Sequence, residues 1–172
     1  MIERLSQYLP ALEDWITGLL NSHKGRALFV KGFAFQRIPR FYSPQILETS
    51  KVVLVDKIPL PPLSDLGLTE FKNFESGDYA GITYLDTYFL KKGFEGSESL
   101  HFHELVHVLQ WQILGLQKFL LLYGQGMLQY GYRESPLERM AFQLQERFDN
   151  STTVFDVEVE VRKALKCIKE SQ

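Results

Sequence analysis

Apolar positions recur along most of this chain at helical spacing, and in a few stretches at the spacing of strands. Leu9, Leu12, Trp15, Ile16, Leu19 and Leu20 repeat every three to four residues and predict an amphipathic helix over residues 2–22. Pro10 suits the first turn of that helix, or marks a break beside it. Leu28-Phe29-Val30 predicts a short strand and Phe33 and Phe35 alternate, but Gly25 and Gly32 interrupt both patterns. His23, among Asn21, Ser22, Lys24 and Gly25, reads as part of a solvated turn. Over Lys51–Asp56 the run Val52-Val53-Leu54-Val55 predicts an interior strand, ended by Pro59, Pro61 and Pro62. Glu70–Asp78 is polar and reads as connecting chain.

Tyr79–Lys91 predicts one strand, with Ile82, Tyr84, Asp86, Tyr88 and Leu90 on one face and Thr83, Leu85, Thr87 and Phe89 on the other. Polar and apolar groups on both faces suit an edge, and an edge can hold an extended peptide by adding it as a further strand. Tyr84, Asp86 and Tyr88 are then the candidate substrate contacts; a hairpin partner with ordinary neighbours is the other reading.

The longest apolar stretch, Leu100–Leu122, predicts a central helix. Ser97 or Ser99 can cap it, with Glu98 near its positive end. Phe102, Leu105, Val106, Leu109 and Ile113 form a core stripe, and Gly115 ends or bends the helix. Leu116–Tyr132, interrupted by glycines, predicts one or two short helices. Ser135-Pro136 is a helix start, and Glu138 completes a capping-box pattern for a helix running to about Phe148. Over Ser151–Gln172 the early acids and late lysines favour a helix over a strand, with Thr153 as its cap.

At 172 residues the chain fits one domain, and 45% apolar with 23% charged residues is the balance of a globular protein. A net charge of −2 gives no footprint for nucleic acid. The single cysteine, Cys167, excludes an internal disulfide framework; a reducing compartment follows. No signal peptide opens the chain and no apolar run is long enough to span a bilayer, so the expected location is cytoplasmic.

The central helix carries His103-Glu104-Leu105-Val106-His107. Histidines four apart on a helix lie about 40° apart in azimuth and about 6 Å apart in rise, so both can face one cation. Glu104 then lies beside the metal without binding it, where a carboxylate can take a proton from activated water. Gln110 shares that face and Trp111 can wall it. A catalytic Zn²⁺ usually takes three protein ligands. Glu134, Glu138, Glu146 and Asp149 are candidates for the third, and Glu138 is favoured by its first-turn position, with the capping box as its competing role.

His103-Glu-Leu-Val-His107-Val-Leu-Gln110, followed by Ser135-Pro136-Leu137-Glu138-Arg-Met-Ala141, resembles the gluzincins, and among them the compact bacterial metallopeptidase-like domains. The resemblance covers residues 79–148. It implies an α+β, zincin-like single domain with a small, mostly antiparallel sheet, an active-site helix and a glutamate helix. It also implies His103, His107 and Glu138 as ligands of one Zn²⁺, Glu104 as general base, and a peptide or protein substrate. Three departures stand out. Phe142 occupies the position where many gluzincins carry an acid that orients a ligand histidine. Ser135 stands where asparagine is common. The family's transition-state donor has no fixed match: Tyr123, Tyr130, Tyr132 and His101 are candidates, and Tyr132 is preferred because it precedes the ligand helix.

The expected function is therefore zinc-dependent peptide hydrolysis. The missing acid at Phe142 motivates a second reading, an interaction domain with or without zinc and without turnover. Zinc hydrolysis of a non-peptide amide or ester is a third. Cys167 is either a zinc-blocking thiolate or, more simply, a buried structural residue.

Overall fold

The computed structural model describes residues 2–170; Met1 and the end of the expected tail helix, Ser171 and Gln172, lie outside them. The architecture is α+β, with a small mixed sheet and helices packed against it. The predicted N-terminal helix is two: α1 (Ile2–Ser6) and α2 (Leu9–His23), with Pro10 in the first turn of α2, where its missing N–H is no loss. β1 (Leu28–Phe29) follows, then α3 (Pro44–Thr49), then β2 (Lys51–Val55). After the proline-rich segment come α4 (Lys72–Glu75), β3 (Gly81–Tyr84) and β4 (Thr87–Lys91). The sheet order is β1-β2-β4-β3, with β2 parallel to β4 and the other two pairings antiparallel. The continuous apolar run of β2 fits its interior place, since Val52 and Val53 are fully buried.

Tyr79–Lys91 is not one strand. Leu85 and Asp86 form a two-residue turn between β3 and β4, with Leu85 at φ 59°. Positive φ at the first turn residue lets the turn follow the strand twist. Leucine there keeps the hydrophobic alternation running through the turn. The edge strand is β3, and β4 is interior. Glu70–Asp78 is more than connecting chain, because a tight turn at Thr69–Phe71 and α4 bury Phe71 and Phe74. His23 is not in a solvated turn. It ends α2, half-buried, with its ring edge-on to Phe89 at 5.2 Å between centroids. Phe33 and Phe35 lie outside the strands; their rings stack and pack on His101.

The central helix is α5 (Glu98–Leu114), capped by Ser97, whose Oγ accepts from the Leu100 N–H. Glu98 accepts from the backbone N–H groups of Gln36, Arg37 and Ile38 and so ties that loop to the start of the helix. Every residue from His101 to Trp111 is buried, so α5 is enclosed on all sides instead of having one core face and one open face. Full burial of Phe102, Leu105 and Val106 contributes about 1.5–3 kcal/mol each. Gly115, at φ 73°, ends α5.

Leu116–Tyr130 is a single helix, α6, despite its glycines. Gly126 is required there: a Cβ would stand 2.8 Å from Pro136 Cδ, at the start of α7 (Pro136–Asn150). The tail forms α8 (Val157–Glu170), whose side-chain cap is Asp156, bonded by the Val159 N–H, and not Thr153. Cys167 is exposed on α8 and not a buried structural residue. The apolar residues make two clusters. The larger joins the sheet with α5, α7 and α8; the smaller gathers Leu5, Leu12, Leu63, Leu68, Phe71 and Phe74. No helix among the described residues is long and apolar enough to cross a membrane.

Candidate metal centre

Helix α5 packs along α7, and this contact brings His103, His107 and Glu138 together with one potential ligand atom from each lying within 4.8 Å of the others. The two Nε2 atoms are 3.1 Å apart. Glu138 Oε2 lies 3.4 Å from His103 Nε2, and Oε1 lies 3.4 Å from His107 Nε2. Glu138 is not held by a capping box: the Ser135 N–H, from which its carboxylate would accept, donates to the Tyr132 carbonyl at 3.2 Å, and the Ser135 Oγ donates to the same carbonyl at 2.9 Å. The other acids considered as a third ligand, Glu134, Glu146 and Asp149, are exposed.

Hydrogen-bond logic fixes both imidazole tautomers. Gln110 Nε2 donates to the Leu137 carbonyl at 3.0 Å, and a carbonyl can only accept. The Gln110 Oε1 therefore faces His107 Nδ1 at 2.8 Å, which must carry the proton. For His103 the chain is longer. Ser99 Oγ donates to the Asp149 carboxylate at 2.7 Å, so it accepts from Gln145 Nε2 at 2.9 Å. That turns Gln145 Oε1 to His103 Nδ1 at 2.9 Å, again a protonated nitrogen. In the neutral rings both Nε2 atoms then face each other as lone pairs, an arrangement that repels unless a positive charge lies between them.

Glu138 Oε2 is buried and has no hydrogen-bond partner. Ligand atoms held about 2.0–2.1 Å from a tetrahedral Zn²⁺ stand roughly 3.3–3.4 Å apart, and the separations of 3.1 and 3.4 Å fit that size. Two imidazoles and one carboxylate, each histidine fixed by a further hydrogen bond, are a donor set for zinc. Without a cation the charges of the site act on each other. Burial disfavours the charged form of His107, but Glu138 outweighs it and pushes the pKa up to about 9. Burial likewise opposes ionisation of Glu138, yet the two imidazoles hold its carboxyl well below the usual range.

Glu104 is buried beside the triad with its pKa raised, chiefly by burial, against the pull of His103, His107 and the Thr83 hydroxyl. Thr83 Oγ1 donates to its Oε2 at 2.7 Å. Its Oε1 lies against Gly81 of β3, so closely that a Cβ there would overlap it. Tyr123 donates its hydroxyl to Glu138 Oε1 at 2.6 Å. Tyr79 and Tyr132 pack against each other nearby. Burial and the Glu138 charge raise the pKa of Tyr79 to about 12, and they raise Tyr132 as well, with Glu104 adding to the effect there, so both keep their protons.

The remaining sequence candidates divide. Tyr132 lines the same cavity as Glu104, His107 and Glu138. Tyr130 is exposed. His101 lies away from the triad: Nε2 donates to the Glu95 carbonyl and Nδ1 accepts from Tyr88 at 2.6 Å. That bond and full burial on β4 make Tyr88 part of the core and not a substrate contact on an edge. Asp86 sits in the hairpin turn, paired with Lys51. Tyr84 ends β3, buried, with its hydroxyl on the Pro59 carbonyl. Phe142 packs its ring against His103 at 4.6 Å, and Gln145 makes the bond expected of an acid at that position. Gln145, Thr83, Gly81 and Tyr79 escaped the sequence reading; only Gln145, seven residues after Glu138, carried a usable signal, as a polar residue two turns further along the same helix face.

Compared with known proteins, the chain matches no family model, no curated protein and no solved structure.

Proposed function

We propose that this protein is a zinc-dependent hydrolase of amide bonds, working by the chemistry of a metallopeptidase. His103, His107 and Glu138 are the ligands and Glu104 is the general base. The observation that carries the reading is the pair of Nε2 atoms set 3.1 Å apart, each ring anchored through Nδ1 on a glutamine oxygen, beside the orphaned Glu138 Oε2. Bound zinc supplies Lewis acidity toward the substrate carbonyl and toward water.

The protein's own groups do the rest. Glu104 takes the proton of the water that attacks the carbonyl carbon, then delivers it to the nitrogen as the C–N bond breaks. Thr83 occupies Oε2 and leaves Oε1 for that exchange. Burial raises the basicity of the carboxylate, as proton shuttling near neutral pH requires. Tyr132 is the proposed donor to the oxygen that gains charge, since its hydroxyl stays protonated beside Glu104 and Glu138. Phe142 in place of an acid argues little for a fold without turnover, because Gln145 orients His103 instead.

The test is Glu104→Gln, assayed for zinc content and for cleavage of an amide and peptide library. The variant should hold one zinc per chain and lose cleavage. Cleavage retained with zinc bound would remove Glu104 from the mechanism.

A further inference from the structure

We infer that the substrate's acyl part is a short alkyl group, held in an apolar chamber that opens onto Glu104, His107 and Glu138. This rests on the hydrolase reading for its chemistry, while the chamber itself does not. A cavity of about 90 Å³ lies between α1, α2, the segment 60–75, β3 and α6. The walls are Leu5, Leu12, Leu63, Leu68 and Phe71, members of the smaller apolar cluster, with Phe119 from α6. The first five pack into one buried cluster, and the cavity lies where that cluster meets the triad.

No lysine, arginine or aspartate lines the chamber; its charged groups, Glu104, His107 and Glu138, sit together at the metal end. Of the tyrosines on its wall, Tyr84 spends its hydroxyl on Pro59 and Tyr123 on Glu138. A ligand filling this space is uncharged and apolar along its length and polar only at the triad. An extended peptide finds less support: the Thr83 carbonyl on the edge strand β3 already accepts from Trp111 Nε1 at 3.1 Å.

A second opening reaches the same carboxylate. It is lined by Ala80, Leu100, His103, Phe142 and Gln145, and it shares Tyr79, Gly81, Glu104 and Tyr132 with the chamber. The scissile amide therefore lies where an acyl compartment meets a head-group compartment. Water adds its oxygen to the carbonyl carbon and the C–N bond breaks. The carboxylic acid keeps its alkyl group in the chamber, and the amine, protonated through Glu104, leaves by the second opening.

Gly124 gives a test away from the chemistry. It lines the chamber on α6, and a Cβ there meets only Leu5 Cδ1 at 3.5 Å and Phe71 Cζ at 3.6 Å, ordinary contacts. Gly124→Ala fits and Gly124→Leu fills the space. The first measurement is calorimetric binding of acetamide, butanamide and hexanamide to the zinc-free protein. The second is hydrolysis of the matching acyl p-nitroanilides by the zinc-loaded protein. Affinity should rise about fourfold per methylene. Gly124→Leu should lose at least tenfold for hexanamide with zinc content and melting temperature kept, and Gly124→Ala should show a smaller loss. Absence of hexanamide binding to the wild type, or binding unchanged in both variants, overturns the inference. Cleavage of short peptides as fast as the hexanoyl anilide overturns it too, and leaves the hydrolase reading standing. Chain-length-dependent binding with no cleavage of any amide supports the chamber and sinks the hydrolase reading.

Discussion

The carboxylate of Glu104 fills the space that a Cβ on Gly81 would occupy. A strand residue without a side chain thus sets where the proposed general base sits, and Thr83, two residues on, holds its other oxygen. Gly81→Ala should push Glu104 out of line and lower amide hydrolysis about a hundredfold or more, with zinc content unchanged. Metal analysis beside a kinetic assay checks this; loss of zinc would mean that Gly81 supports the ligands and not the base.

Gln110 and Gln145 each hold one histidine of the proposed ligand set through Nδ1. Removing such a bond frees the ring and its tautomer, which typically costs about 10–100-fold in metal affinity. Gln145→Leu should weaken zinc binding by that amount, measured by competition with a chelating dye. Gln110→Leu should do the same and also lower the melting temperature, because the Leu137 carbonyl loses its buried donor.

Zinc that binds only the folded chain must stabilise it. At a thousandfold excess over Kd the gain is about 4 kcal/mol, a rise on the order of 10 °C for a chain of this size. A chelator should reverse that rise in the wild type and change nothing in Glu138→Ala. Equal melting curves with and without chelator in the wild type would count against a metal site.

Tyr42 donates its hydroxyl to the Phe102 carbonyl at 2.7 Å from a fully buried position. Burial, with Tyr88 adding to it, pushes its pKa well above 10.0. The folded state then holds the phenolic proton more tightly than the unfolded chain does. The stability this gives is complete below pH 10.0 and is lost as pH rises from there toward the folded value. Urea unfolding at pH 8 and again above pH 10 should show a smaller alkaline loss for Tyr42→Phe than for the wild type. At pH 8 the variant should cost about 1 kcal/mol for the missing hydrogen bond.

The helices, and the three residues that meet at the candidate site, were legible because helical period and ligand spacing are both local. His103 and His107 face one way whatever surrounds them, and Glu138 needed only α7 to lie beside α5. What was not legible depended on contacts across the fold. The hairpin at Leu85 hid because leucine carries none of the usual turn chemistry, so Tyr79–Lys91 read as one strand. Whether Glu138 capped its helix or faced the site turned on the partner of one backbone N–H, and Ser135 gives it to the Tyr132 carbonyl. Gln145 is 42 residues from His103 and joins it only through the α5–α7 contact. The apolar period of α2 marked Leu12 as buried but could not say that the surface opposite leaves a space.

The smaller apolar cluster draws on residues 5–74, whereas the proposed ligands, the proposed base and their hydrogen-bond partners come from residues 81–149. In the proposed reading, part of the chamber wall is therefore carried by a stretch of the polypeptide that holds none of the reacting groups, and α6 supplies another part. A substitution at Leu12 or Leu63 can reset the size of molecule accepted while every atom that handles protons and metal stays in place. Descendants of such a chain can part company in diet long before they differ in chemistry.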